Sequence, residues 1–274
     1  MTEFRPARFE ILPPVIKNLV IINVLVFLLQ KAVASYSSVD METLFGLHHI
    51  KSPLFQPWQI ITHLFLHGSL GHIFFNMFSL WMFGAVLENL WGSKKFITFY
   101  LICGIGAALL HLTFLWFDYS EMLNQLVLIK QSPTPGKIAS FFNEFKLDRF
   151  QGGAEAVNSY VSNPNDLSAR SAAINFINQY TYLKLSVPTI GASGAISGVL
   201  AAFLYLFPNT YLYLYFLFPV KAKWLGLFYF GRELFFAISN SEGDNVAHWA
   251  HLGGALVGFL LVLTWNKQNR QNFY

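Results

Sequence analysis

Four uncharged polar side chains, His72, Asn76, Ser193 and His251, stand inside runs that could have been wholly apolar. Polar groups in such places are candidates for function by default, because leaving them away from water is costly. Ser193 belongs to Gly191-Ala192-Ser193-Gly194, with Gly198 one turn on. A serine hydroxyl becomes a nucleophile when a neighbouring base takes its proton. His251 is the candidate base, in His248-x2-His251-x2-Gly254-x3-Gly258. At about 100° per residue, Gly254 and Gly258 fall within roughly 60° of His251, so the three share one helical face. A glycine face there could meet the glycine face of Gly194 and Gly198 and bring His251 to Ser193, the pairing that acyl transfer requires. His72 and Asn76, four apart, also share a face; with the Ser193 backbone N–H they would form an oxyanion hole. Asp244 is seven residues before His251 and reads as loop, so no buried carboxylate is placed to orient the imidazole. The expected unit is therefore a Ser-His dyad without an acid, its imidazole held neutral by packing and desolvation. His248 reads as an interfacial or loop-contacting histidine.

The elements that must position these residues follow from composition. Of 274 residues, 54% are hydrophobic and 12% charged, against roughly 25% charged in an ordinary soluble domain. Six apolar runs approach the ~20 residues that cross a bilayer core: residues 15–34, 70–90, 96–117, 191–207, 224–238 and 246–265. With both termini inside, the inner segments hold Arg5, Arg8, Lys17, Lys94, Lys95, Lys221, Lys223, Lys267 and Arg270 against Glu3, Glu10 and Glu88. Basic residues gather on the cytoplasmic side of membrane proteins, so this orientation is expected, with the active site opening outward. Eighteen basic residues scattered over the chain form no block that would bind nucleic acid. Cys103, alone in an apolar run, reads as a small buried hydrophobe.

Residues 118–188 have ordinary polarity and are punctuated by Ser132-Pro133-Thr134-Pro135-Gly136, Gly152-Gly153 and Asn163-Pro164-Asn165. Residues 139–150 and 167–185 carry apolar side chains at helical spacing (Phe141, Phe142, Phe145; Ala173, Phe176, Ile177, Tyr180), faces that either pack on one another or lie at the membrane surface. Arg232 and Glu233, adjacent in the fifth run, lie about 100° apart on a helix and are expected not to pair face to face, each finding groups such as Asn240, His111 or water instead. His63 and His67 read as loop-bonding residues; with His72 they also allow a membrane metalloenzyme or metal transporter, although no HExxH and no acidic ligand accompanies them.

Taken together, Gly191 to Gly194, His67-x4-His72-x3-Asn76 and Ala250-His251-x2-Gly254-x3-Gly258, on the fourth, second and sixth runs, resemble the rhomboid intramembrane serine proteases. The resemblance implies an all-α, polytopic six-transmembrane-helix bundle, residues 1–117 and 189–274, with a helical extracytoplasmic insertion at 118–188. It implies hydrolysis of peptide bonds in or near the transmembrane segments of substrate proteins, without cofactor or metal. Ser193 would be nucleophile and His251 base, with His72, Asn76 and Ser193 as oxyanion donors and Gly191, Gly194, His67, Gly254 and Gly258 in support. Glu88 matches a carboxylate that braces the inner end of the second helix. The sequence departs from the family at Trp58-Gln59, where members often have Trp-Arg, and at Ser197, where some bacterial members have a tyrosine stacked on the histidine; His251 then needs other support. The insertion is expected as a lid-like subdomain or a spacer. A bacterial inner membrane is the expected location. A catalytically inactive rhomboid-like protein that escorts transmembrane clients is the competing reading within the same fold.

Overall fold

The computed structural model describes residues 9–214, 218–239 and 246–271. Glu3, Arg5, Arg8, Asn240 and Asp244 lie outside the described residues, as do the side chains of Lys267 and Arg270. Thirteen α-helices and one two-stranded hairpin are present among them, and the chain divides into two compact units.

Unit 1 comprises Met1–Leu47, Gln56–His111 and Pro188–Tyr274. It opens with α1 (Pro14–Tyr36), whose proline at the first turn lacks an N–H that would have no partner there anyway. The next two N–H groups, of Val15 and Ile16, donate to the two carboxylate oxygens of Glu88, 2.9 Å each, and Ser93 Oγ donates to Glu88 at 2.6 Å. A buried carboxylate thus caps one helix from another and has donors on both oxygens. Short helices α2 (Met41–Phe45) and α3 (Gln59–Thr62) shape the first loop. Then come α4 (Leu70–Ser79), one π turn at Leu80–Gly84, and α5 (Ala85–Trp91), which continue one another as a single apolar rod. The long α6 (Ser93–Asp118) follows.

Unit 2, His48–Phe55 with Leu112–Val187, is built on α7 (Ser120–Gln131), α8 (Pro135–Glu144), α9 (Gly153–Ser162) and α10 (Leu167–Leu185). Thr134 and Asp166 cap α8 and α10 by accepting from backbone N–H groups one turn in. The helix expected over 139–150 instead begins at Pro135, the preferred first residue of a helix, and stops at Glu144, two residues before the left-handed Lys146. The apolar faces pack on one another, Phe141, Ile177 and Tyr180 among the buried side chains.

Unit 1 resumes with α11 (Ser193–Leu206), a hairpin of β1 (Tyr211–Leu214) and β2 (Phe218–Lys221), α12 (Ala222–Ser239) and α13 (His248–Gln271). The strands were not expected in an all-α chain; the alternation Tyr-Leu-Tyr-Leu has the period of a strand, not a helix. The six-span expectation is also narrowed. Among the described residues four helices are long and apolar enough to cross a bilayer: Pro14–Tyr36, Leu70–Trp91, Ser93–Asp118 and His248–Asn266. The fourteen residues of α11 rise about 21 Å, short of a ~30 Å core, and α12 carries Lys223, Arg232 and Glu233. Leu25, Leu28, Phe74, Phe75, Phe228 and Phe235 are exposed on these helices, a surface that water would not tolerate and lipid would.

Candidate active site

Ser193 is the first residue of α11, delivered by a backbone turn that only glycine takes easily. Gly191 has φ +122°, and a Cβ there would stand 2.7 Å from His72 Nε2 and 3.6 Å from Asn76 Nδ2. The turn is pinned from the first loop. Leu47 and Thr189 exchange backbone hydrogen bonds at 2.8 and 2.9 Å, and the Gly191 N–H donates to the His63 carbonyl at 2.9 Å. Loop and turn therefore hold the serine in one place.

Against α11 runs α13, and the two backbones touch. A Cβ on Gly254 would collide with the Gly194 carbonyl, and one on Gly258 would meet Gly198 Cα at 2.6 Å. This approach puts the His251 ring beside the serine: the Ser193 hydroxyl donates to His251 Nε2 at 2.8 Å. His251 is 9% exposed and Ser193 half-buried.

From α4, His72 and Asn76 flank the same turn. The Gly68 N–H makes a long contact, 3.4 Å, with His72 Nδ1, which leaves Nε2 as the protonated nitrogen facing Gly191. Asn76 Nδ2 is buried and has no hydrogen-bond partner. His67 is buried with its ring edge-on to His72, centroids 5.0 Å apart, and both ring nitrogens unpartnered. Its backbone N–H donates to Gln30 Oε1 at 3.1 Å. The structure thus gathers Ser193, His251, His72, Asn76, Gly191 and His67 around one turn. The loop histidine His63 is spent on scaffolding, its Nδ1–H donating to the Gln59 carbonyl at 2.7 Å. Burial lowers the pKa of both His63 and His67 to about 4, so both rings are neutral at physiological pH. Where relatives often have arginine, Gln59 donates to the Leu44 carbonyl at 3.3 Å and accepts the Gln56 N–H at 3.1 Å, clamping the first loop from both sides.

Three expectations fail. A buried carboxylate does face His251: Glu233 Oε2 accepts from His251 Nδ1 at 2.8 Å, and Glu233 is 1% exposed. Of the two readings of His248, the interfacial one fails: it is buried, and its Nδ1 lies 2.6 Å from the same Glu233 oxygen. Three residues apart on one helix, His248 and His251 differ by about 60° in direction, little enough for two rings to converge on one atom. Arg232 and Glu233 do pair, Nη1 to Oε1 at 3.1 Å, because the long arginine chain reaches around the helix surface. His111 bonds Thr189 Oγ1 at 2.9 Å instead. In place of a tyrosine at 197, Tyr229 of α12 brings its hydroxyl to 3.4 Å from Ser197 Oγ. The usable signal for Glu233 was its charge within an apolar run; its adjacency to Arg232 obscured it.

Glu233, His248 and His251 are the residues whose donor atoms could hold a metal ion; His63, His67 and His72 form no such group among the described residues. Contacts of 2.6 and 2.8 Å are hydrogen-bond lengths. Ligands around one tetrahedral zinc, each at ~2.0–2.1 Å, would sit about 3.4 Å apart. The cluster is therefore read as hydrogen-bonded.

The rhomboid domain family model matches residues 54–121 and 156–268. The chain is 25% identical over 215 residues to RHOMBOID-like protein 12, mitochondrial, of Arabidopsis thaliana, covering 78% of this chain and 47% of the relative. It is 26% identical over 273 residues to Rhomboid protein 1, mitochondrial, of Saccharomyces cerevisiae, covering 93% and 57%. A shorter stretch of 51 residues is 39% identical to the rhomboid protease GlpG of Salmonella newport, covering 19% of this chain and 18% of the relative. The chain spans about half the length of the mitochondrial relatives it matches.

Proposed function

The chain belongs to the rhomboid family as an integral, multi-pass membrane protein, and on that premise we propose that it is a serine endopeptidase that cuts peptide bonds in or beside the transmembrane helices of other membrane proteins. The observation that carries this reading is the 2.8 Å contact of Ser193 Oγ with His251 Nε2 beside a turn flanked by the unpartnered Asn76 Nδ2. In the proposed reaction the Ser193 oxygen attacks the substrate carbonyl carbon as its proton passes to His251 Nε2. The oxyanion accepts from the Ser193 N–H, His72 Nε2–H and Asn76 Nδ2–H. His251 then gives its proton to the leaving amine nitrogen, the acyl-enzyme forms, and a water deprotonated by His251 hydrolyses it. Because α11 is shorter than the bilayer core is thick, its N-terminus can sit below the outer surface, with a water-filled path to that side, while its other end reaches the inner side.

The proposal extends to the arrangement around the site. Both termini lie on the cytoplasmic side, by the excess of lysine and arginine in the inner segments. Residues 118–188 form a helical extracytoplasmic subdomain; its own core supports that division, and the family match breaks over 122–155 and resumes within the segment at 156. A bacterial inner membrane finds no support, since the relatives with broad coverage are mitochondrial by name. The membrane is left at the level of the family.

The test is cleavage of a single-span substrate in liposomes by wild type and Ser193→Ala, with fluorophosphonate labelling in parallel. Cleavage and labelling by wild type, both abolished in Ser193→Ala, are expected. Binding of the substrate helix without cleavage by wild type would replace this reading with that of a client-binding protein.

A further inference from the structure

Glu233 is a carboxylate buried at the side of an apolar helix, and every donor around it is identifiable. Its Oε2 accepts from His251 Nδ1 at 2.8 Å and His248 Nδ1 at 2.6 Å, and its Oε1 from Arg232 Nη1 at 3.1 Å. A carboxylate only accepts, so both histidines present Nδ1–H to it. For His251 that leaves Nε2 with its lone pair free, aimed at the Ser193 hydroxyl. Packing cannot make this choice, because the two neutral imidazole tautomers have nearly the same shape. A hydrogen-bond partner on Nδ1 can.

The clamp around the carboxylate is itself fixed. His248 stands at 87° to His251 and stacks on Phe236, interplanar angle 19°. The Arg232 guanidinium lies 5.2 Å from the same Phe236 ring, its side chain 46% exposed. One oxygen is held by two rings and the other by a cation, so the carboxylate cannot turn, and its charge is balanced.

Resting on the serine-protease reading, we infer that Glu233 is a positioning residue for His251, so that this chain works with a serine, a histidine and a glutamate rather than with a dyad. Glu233 holds the base in the accepting tautomer and stabilises the imidazolium that forms when Ser193 gives up its proton. It exchanges no proton. His248 and Arg232 act on the reaction through Glu233.

The experiment measures kcat and KM for a single-span substrate in liposomes, with the rate of fluorophosphonate labelling of Ser193, for wild type, Glu233→Gln and Glu233→Gln/Arg232→Met. In Glu233→Gln the amide oxygen faces Arg232 and the amide NH2 faces the rings, so His251 Nδ1 must accept and Nε2 carries the proton. It then cannot take the Ser193 proton. The expected result is a fall in kcat of roughly 10² to 10⁴-fold with KM little changed. Adding Arg232→Met frees the amide to rotate, and about tenfold or more of the lost kcat returns. A merely structural glutamate would not be rescued by removing its cation. Nitrogen NMR of wild type labelled at histidine gives a reading that needs no variant to fold: His251 protonated at Nδ1 is expected, and protonation at Nε2 alone overturns the inference. So does a Glu233→Gln kcat within threefold of wild type, a loss that Arg232→Met fails to relieve, or loss of wild-type labelling on adding a chelator. If wild type neither cuts nor labels, the protease reading fails and takes this inference with it; if wild type does both and only the Glu233 results differ, the inference alone falls.

Discussion

Asn76 sets the terms at the level of single residues, because its Nδ2 is buried with no partner. An unsatisfied buried donor costs about 1–3 kcal/mol, so its retention needs a moment at which it is used. In the proposed mechanism that moment is the oxyanion. Asn76→Ala should therefore lower kcat by roughly 10² to 10³-fold while leaving the melting temperature equal to wild type or higher, a trade of stability for function. Steady-state cleavage and a thermal melt on one preparation decide it. Unchanged kcat would remove Asn76 from the oxyanion hole. Glu233 makes the complementary point, for its charge is fully matched by donors. One polar group waits for substrate, and the other is already satisfied.

At the scale of elements, the sequence was most informative where a pattern is local. The glycine faces of α11 and α13, the bounds of α10 and the position of Ser193 at a helix start all follow from spacing within one segment. What was illegible depends on how separate helices meet. Glu233 and His251 are eighteen residues apart and stand on different helices, and no periodicity in α12 shows which face α13 covers. The length of α11 and the charges of α12 also separate a helix that belongs to the bundle from one that spans by itself. The first loop shows a further property of an element, its pH response. His63 and His67 have folded pKa values of about 4, below the ordinary 6.5, because burial disfavours the charged ring. The unfolded chain binds protons between those values and the folded one does not. Stability is therefore full above pH 6.5 and falls as pH drops toward 4, each ring contributing on the order of 3 kcal/mol at the bottom of the window. His67→Phe puts an aromatic ring in the same place and removes the titration, so its melting temperature should fall less steeply than that of wild type between pH 6.5 and 4.5. Equal slopes would place the acid sensitivity elsewhere.

Over the whole molecule, two separate sets of buried side chains hold the chain together. One, including Phe96, Tyr100, Cys103, Ala195 and Val199, belongs to the unit that carries Ser193 and His251; the other, including Ile138, Phe141, Val157 and Ile177, lies in residues 112–187. Phe141 is fully buried and packs on Phe145 with ring centroids 4.6 Å apart. Truncating such a ring to alanine typically costs about 3–5 kcal/mol, the lost transfer energy plus that of the cavity left behind. If each core supports its own unit, Phe141→Ala should strip hydrogen-exchange protection from α7 to α10 and leave the amides of α4, α11 and α13 protected, with fluorophosphonate labelling of Ser193 near its wild-type rate. The alternative is as definite. Protection and labelling lost together would mean that the second core is required for the first to fold, and that residues 118–188 are part of the chain's stability rather than an addition to it.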